Sequence, residues 1–424
     1  MTKRRDLPLT ALGFRCFRCG RETASAEYVC PSCSGNLEVV YDLQTLKRRL
    51  TRSSLAKDPD ASVWRWKELL PIARFRGVPL ARVGGTPLYR AERLGRDLGL
   101  KEVWLKDDGR NPSASFKDRA GAVAVAKALE LGERVVTGAS TGNAASSMAC
   151  LAAGLGLKTI IFVPQKAPAA KIAQLLVFGA TVIAVKGTYD QAFDLCLKAT
   201  EEFGWYNRNT GHNPFTREGK KTASFEIAEQ LGWTVPDAVF VSVGDGNIIS
   251  GVWKGFKELR GLGLIDRLPR MVAVQAEGSA AVKKAFESDG VIRPVSGETL
   301  ADSISVSLPR DGEAAVRALV ESGGSAVSVT DAEILDAMKV TARREGVFAE
   351  PAGAASVAGL RKAASLGLVR PGEKVLALIT GNGLKDVASA LKAAGKPFLI
   401  EPEAGELRKL VRKESLGGRA TCSD

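Results

Sequence analysis

An α/β fold of parallel sheets flanked by helices, divided between two domains and preceded by a small cysteine-based module, is what this sequence predicts. Three observations predict it. Short apolar runs rich in β-branched residues, such as Ala238-Val239-Phe240-Val241-Ser242-Val243 and Val375-Leu376-Ala377-Leu378-Ile379, alternate with stretches of helical periodicity; strands apolar on both faces belong to parallel sheets covered by helices. The chain has 424 residues, 45% of them hydrophobic, enough for a large core and more than one domain. Ahead of the alternating pattern lie two Cys-x-x-Cys pairs.

Residues 1–45 form the cysteine module. Cys16-Phe17-Arg18-Cys19 and Cys30-Pro31-Ser32-Cys33 are separated by ten residues and would bring four thiolates to the tetrahedral positions that Zn²⁺ takes in closed structural sites. A pair of disulfides, or a site that has lost its metal, is the alternative; a reducing compartment, with Phe14, Gly20, Tyr28 and Gly35 around the pairs, favours metal. The module closes with a strand at Leu37 to Tyr41 and is too short for a hydrophobic core to suffice, which makes a metal staple sensible. A polar linker with a helix follows, then Trp64 to Arg74 and the turn Gly84-Gly85-Thr86-Pro87-Leu88. Next come a strand at Glu102 to Lys106, a helix at Asp118 to Leu131, a strand at Arg134 to Thr137 and a helix at Ala144 to Ala153. A strand at Thr159 to Val163, a helix at Ala169 to Phe178 and a strand at Thr181 to Val185 continue the series, and the alternation resumes from Ala238 to Leu391.

Chemistry concentrates where these elements meet. Lys117 lies between the polar turn Asn111-Pro112-Ser113-Ala114-Ser115 and the helix after it; a lysine amine condenses with a carbonyl to a Schiff base once its surroundings disfavour the ammonium form. The strand at Ala238 to Val243 stops at Gly244-Asp245-Gly246-Asn247 before a helix from Ile248 to Leu259, an arrangement that aims backbone N–H groups and a helix N-terminus at one point and suits a phosphate dianion. No Gly-Lys-Ser/Thr follows and Gly251 lies two positions past the third glycine of a dinucleotide fingerprint, so neither nucleotide loop fits. Thr137-Gly138-Ala139-Ser140-Thr141-Gly142-Asn143 sets hydroxyls and an amide at another helix N-terminus, where single residues would be read as caps. A buried strand ends in Thr380-Gly381-Asn382-Gly383-Leu384-Lys385-Asp386.

The Ser-Phe-Lys-Asp-Arg core around Lys117 resembles the lysine motif of fold-type-II pyridoxal-phosphate enzymes, and most of all the threonine synthase family. The other motifs, with Gly211-His212-Asn213-Pro214-Phe215-Thr216-Arg217-Glu218-Gly219-Lys220-Lys221-Thr222, match that family in order from Val83 to Asp386. The resemblance implies a two-domain, tryptophan synthase β-like fold with a zinc-ribbon-like N-terminal module. It divides the chain into a large cofactor-binding domain of residues 46–115 and 190–400, a small α/β domain of residues 116–189 and a basic tail, 401–424, expected to be partly disordered. It implies pyridoxal 5'-phosphate joined to Lys117, its phosphate on Gly244, Asp245, Gly246, Asn247 and Ile248, its ring oxygen at Asn143 and its ring nitrogen at Thr380. Ser140 and Thr141 would hold the substrate carboxylate, and Asn213 and Arg217 its phosphate, unless Arg217 pairs with Glu218 or Glu229. The implied reaction turns O-phosphohomoserine and water into threonine and phosphate, in a homodimer. One departure bears on the substrate: where that family carries Ile-Arg-Ile-Gly, this chain has Ile304-Ser305-Val306-Ser307, and the next basic residue is Arg310. A related lyase or β-replacement enzyme acting on phosphoserine, serine or threonine is the alternative.

The formal net charge of +13 suits an anionic small substrate, nucleic acid or lipid alike. The cysteine module lacks a run of basic and aromatic residues for stacking, so nucleic acid is not the expected partner. The single histidine, His212, leaves no histidine triad or multi-histidine metal centre. The start, Met1 to Asp6, is basic without an apolar run behind it and the best apolar stretch, Ala149 to Val163, contains Lys158 and two glycines, so a cytoplasmic protein without membrane spans is expected.

Overall fold

The computed structural model describes residues 7–24, 27–75, 77–78, 81–140, 142–165, 167, 169–414 and 416. Its first three strands, β1 (Ala11–Cys16), β2 (Glu22–Thr23) and β3 (Leu37–Tyr41), pair antiparallel in the order β2-β1-β3. Phe14, Cys16, Leu37, Val39 and Tyr41 face inward while Arg15 and Glu38 do not, the period of two that buries one face of a small sheet. That face joins the main core: the rings of Phe14 and Phe215 meet edge-on at 6.0 Å. The module is therefore packed into the protein.

Strands β4 (Leu88–Arg90) and β5 (Glu102–Asp107) belong to a large sheet, and β6 (Val135–Ala139), β7 (Lys158–Pro164), β8 (Thr181–Val185) and β9 (Tyr206–Asn207) to a small one. Strands β10 (Ala238–Ser242), β11 (Arg270–Ala276), β12 (Ser325–Val329) and β13 (Lys374–Ile379) complete the large sheet in the order β12-β11-β10-β13-β5-β4, parallel except for the edge strand β4. The small sheet, β8-β7-β6-β9, is parallel throughout. All residues of β10 are buried, as a strand with helices on both faces requires. The helix Tyr189–Phe203, which packs on the small sheet, starts at residue 189, where the resemblance ends the small domain, and strand β9 lies beyond it.

Helix Lys117–Glu130 is buried along most of its length and is tied down at its start by charge. Arg119 forms ion pairs with Asp108 at 2.5 Å and Glu226 at 2.6 Å, Lys106 reaches Glu226 at 2.8 Å, and Thr86 donates to Asp108 at 2.6 Å. All are buried, so the turn at Thr86, strand β5 and two helices are locked together two residues from Lys117. In the basic C-terminal stretch, expected to be partly disordered, residues Ala404–Lys413 form a helix with none of its residues buried. Among the described residues no helix is long and apolar enough to cross a membrane.

Candidate active site

A cavity of about 480 Å³ opens at the carboxyl ends of β6, β10 and β13, where open α/β sheets place their ligands. Lys117, Ser140, Asn143, Gly244, Asp245, Gly246, Asn247, Ile248 and Thr380 all line it. Motifs spread over more than half of the sequence thus share one space. Thr141 lies outside the described residues.

Tertiary contacts join the lysine turn to the last motif. Ala114, with φ +61, turns the chain so that its carbonyl accepts from Asn382 N–H at 3.0 Å, and Phe116 N–H donates to the Thr380 carbonyl at 2.9 Å. A non-glycine residue in the left-handed region is a sparsely used conformation, and here it sets Lys117 at the first position of its helix. Asp118 holds the turn from the other side, accepting from Ser113 N–H at 2.6 Å and from the Ser113 hydroxyl at 2.5 Å. Lys117 opens onto the cavity and is otherwise enclosed by protein; burial lowers its proton affinity, the Arg208 charge lowers it further, and Asp245 and Glu350 partly oppose both. An amine so placed is freer to act as a nucleophile and base at neutral pH.

The glycine loop is shaped by what stands behind it. Gly246 has φ +92, and a Cβ there would lie 2.7 Å from the Asp311 carbonyl oxygen and 2.8 Å from Ala315 Cβ; one at Gly244 would lie 2.9 Å from Ile304 Cα. Only glycine fits at 246. The loop feeds helix Asn247–Gly261, which starts without a side-chain cap and so turns its first N–H groups and its positive dipole end toward the cavity. Asp245 does not spoil this cradle, because its carboxylate accepts from Arg310 N–H at 3.1 Å and burial raises its pKa.

Asn143 donates to Glu350 at 2.6 Å and to the Ser303 hydroxyl at 3.2 Å. Sequence reasoning missed Glu350, whose carboxyl burial pushes up; a Glu-Pro pair opening an alanine-rich helix was the available signal. It also missed Arg208 and left Lys220 without a role. Lys220 donates to Asn247 beside the glycine loop, and its pKa is lowered by burial and then by Lys117 and Arg208.

Two expected substrate contacts lie elsewhere. Arg217 is buried with both Asp311 oxygens at 2.5 and 2.6 Å, the Leu37 carbonyl at 3.2 Å and the Phe17 ring at 4.1 Å, away from the cavity. Neither Glu218 nor Glu229 pairs with it: Glu218 binds Lys221 and Lys254, and Glu229 binds Arg65. Asn213 is a local clamp, donating to the Asn207 carbonyl at 2.7 Å and accepting from Phe215 N–H at 2.9 Å. Both sit in or beside helix Phe215–Lys220, all of whose residues are buried, so each polar group must be satisfied by protein.

The sulfur atoms of Cys16, Cys19, Cys30 and Cys33 lie within 4.8 Å of one another, with Cys16 and Cys33 at 3.5 Å and Cys19 and Cys30 at 3.7 Å. A disulfide needs about 2.05 Å, whereas four sulfurs about 2.3 Å from a central tetrahedral ion stand about 3.8 Å apart. All four cysteines are free, and the spacing could hold a metal. A Cβ on Gly35 would press within 2.9 Å of the Cys16 sulfur.

The cavity fits pyridoxal phosphate on its own terms: it offers an amine of lowered proton affinity, a helix N-terminus cleared by glycines, the Thr380 hydroxyl, and a buried Ser242 hydroxyl without a partner among the described residues. Known proteins agree. The model of the family described as pyridoxal-phosphate dependent enzyme matches residues 80–381. The threonine synthase of Methanocaldococcus jannaschii is 41% identical over 404 residues, 94% of this chain and 99% of its own. That of Methanosarcina acetivorans is 40% identical over 403 residues, covering 94% and 98%. Among solved structures, the processed form of threonine deaminase isoform 2 from Solanum lycopersicum superposes with a TM-score of 0.63 at 25% identity, over 73% of this chain and 83% of that one. Similarity of that length takes in the lysine turn, both helix N-termini and the threonine loop at once, and so the chain belongs to the pyridoxal-phosphate-dependent enzyme family and, within it, to the threonine synthases.

Proposed function

We propose that this cavity converts O-phosphohomoserine and water into threonine and inorganic phosphate. The observation that carries the reading is Lys117, an amine of lowered proton affinity, facing the same cavity as the Gly244–Gly246 cradle and Thr380. Pyridoxal phosphate, when bound, supplies an electron sink for negative charge developing at the substrate's α-carbon. Lys117 holds it, then removes and returns protons along the substrate carbon chain as the free amine. Gly244 to Ile248 would receive its phosphate, Asn143, oriented by Glu350, would take its ring oxygen, and Thr380 its ring nitrogen. A neutral hydroxyl does not hold a proton on that nitrogen as a carboxylate would, which suits elimination and replacement better than transamination. Ser140 and Thr141 take the substrate carboxylate.

The remaining assignments extend this one. The small domain runs from residue 116 through Asn207, which supplies the last strand of its sheet, and the large domain takes residues 46–115 and the chain from there to 400. Zn²⁺ occupies the four cysteines, the sulfur spacing being that of a tetrahedral ion. Four cysteines outside any disulfide suit the cytoplasm, and a homodimer is the working assembly. Purified protein should release phosphate and threonine in equal amounts from O-phosphohomoserine, and Lys117→Ala should release neither. The stretch Ile304 to Ser307 lines the cavity without a basic residue, which favours a related lyase or β-replacement enzyme as the second reading. Ammonia and a keto acid in place of threonine would decide for it.

A further inference from the structure

The cavity holds one buried cation that the residues described so far do not use. Arg208 follows β9; its N–H donates to the Thr137 carbonyl of β6 at 2.9 Å, and it lines the cavity from the small sheet while the glycine loop lines it from the large one. It is 3% exposed. Among the described residues its Nε and Nη2 have no hydrogen-bond partner, and the side chain's one hydrogen bond is Nη1 to the Thr210 hydroxyl at 3.4 Å. Buried guanidinium groups are ordinarily paired, and Arg119 and Arg217 in this chain each have a carboxylate within 2.6 Å. Without one, burial lowers the Arg208 pKa to about 10, and the side chain stays cationic. A charge maintained at that cost beside a cavity has its counter-ion in the ligand.

The surroundings indicate which anion. Thr210 lines the same wall, and a Cβ on the next residue, Gly211, would lie 2.7 Å from the Arg310 carbonyl, so Arg310 borders this end of the cavity with its guanidinium 4.7 Å from the Phe193 ring. Arg208 and Thr210 come from the small-sheet wall and Arg310 from the segment whose N–H binds Asp245, so a hydroxyl and two guanidinium groups line this cavity for an anion beyond the one the glycine loop takes. Ile304 to Ser307 offers no base for the task, and Arg217 is committed to Asp311. We infer that Arg208, with Thr210 and Arg310 beside it, seats the phosphate ester of the substrate and thereby selects O-phosphohomoserine over amino acids that lack a phosphate. This rests on the function proposed above, with Arg208 as its specificity residue.

The test uses holoenzyme and the variants Arg208→Gln and Arg208→Lys, with inorganic phosphate and an unphosphorylated amino acid, L-alanine, as binding probes followed through the visible absorbance of the bound cofactor. Loss of a buried charge-assisted contact should weaken inorganic phosphate at least about thirtyfold and raise KM for O-phosphohomoserine similarly in Arg208→Gln, with partial recovery in Arg208→Lys and L-alanine unchanged. The apo form of Arg208→Gln should unfold at a higher denaturant concentration than wild type, because it no longer buries an unpaired charge, an outcome that a structural role for Arg208 would reverse. Equal weakening of L-alanine would place Arg208 on the carboxylate and overturn the assignment. A KM and a phosphate affinity within about threefold of wild type, less than one ordinary hydrogen bond, would overturn it as well. If wild type releases no phosphate from O-phosphohomoserine, the proposed function fails; if it does and Arg208→Gln binds phosphate normally, only this inference fails.

Discussion

Replacing Arg217 by methionine separates a strut from a substrate contact. The side chain is 1% exposed and binds Asp311 through two bonds of 2.5 and 2.6 Å, so the substitution leaves a buried carboxylate without its cation. Breaking one side of a buried ion pair costs about 3–5 kcal/mol. Asp311 keeps donors from Asn36 at 2.8 Å, Asn247 at 2.7 Å and Ser250 at 2.9 Å, which places the pair itself toward the lower end of that range. The lost bond to Leu37 and the lost Phe17 ring contact add about 1 kcal/mol each. Urea unfolding of Arg217→Met should therefore show about 3–5 kcal/mol less stability, and Arg217→Met with Asp311→Asn should lose less than the sum of the single variants, because the two sites are coupled. KM for O-phosphohomoserine, measured at saturating cofactor, should stay within about threefold of wild type, less than one hydrogen bond's worth. Unchanged unfolding together with a tenfold or greater rise in KM, about 1.4 kcal/mol, would refute the strut and return Arg217 to the substrate.

Gly246→Ala forces a side chain into φ +92 and within 2.7 Å of the Asp311 carbonyl; strain of about 1–2 kcal/mol and overpacking of about 1–3 kcal/mol should appear as weaker cofactor affinity in equilibrium dialysis, and undiminished affinity would count against the cradle. One Zn²⁺ per chain should be released by thiol titration, and Cys16→Ser should lower both zinc content and thermal stability; a full complement of disulfides in the purified protein would contradict this. Burial pushes the Glu226 carboxyl up, but Arg119 and Lys106 outweigh it and hold its pKa well below the usual range. Its contribution to stability is present above its unfolded pKa of about 4.5 and is lost as pH falls below that, because the unfolded chain then binds the extra proton. Glu226→Gln should therefore be destabilised at neutral pH and lose less than wild type on acidification, which denaturant midpoints across pH 3 to 7 would check.

Strands β3 and β8 have the bounds that their sequence patterns predict, because each is an apolar or alternating run stopped by turn residues, a signal carried within five residues. Strand β9, two residues long, carries no such period, and the extent of the small sheet was illegible with it. The same division holds in the cavity. Lys117, Asn143, Gly244 to Ile248 and Thr380 were legible because each sits at a strand–turn–helix junction, where local geometry already turns polar groups toward one point. Arg217 was misplaced because its partner is 94 residues away, and Arg208 was passed over because its signal is the absence of a carboxylate partner among the described residues. Neither fact is local. The helix at Ala404–Lys413 was hidden by its charge, basic residues reading as a solvated tail.

The cysteine module also reaches the glycine loop through bonds that only the folded chain reveals. Asn36 follows Gly35, is held by Phe17 N–H donating to its carbonyl at 3.0 Å, and donates to the Arg310 carbonyl at 2.7 Å and to Asp311 at 2.8 Å. Asp311 N–H in turn donates to the Asp245 carbonyl at 2.9 Å, and the Asp311 carbonyl is the atom that keeps Gly246 free of a side chain. Three residues thus separate the thiol cluster from the anion cradle, all of them in direct contact. A module attached only by a linker could lose its metal without consequence for the cavity. Here the sulfur cluster fixes the backbone that carries Asn36, so distortion of the cluster transmits to Arg310 and Asp311 together. That is a physical reason for a short cysteine-bearing sheet to be packed against the protein core, where its hydrogen bonds help to set the wall of the cavity.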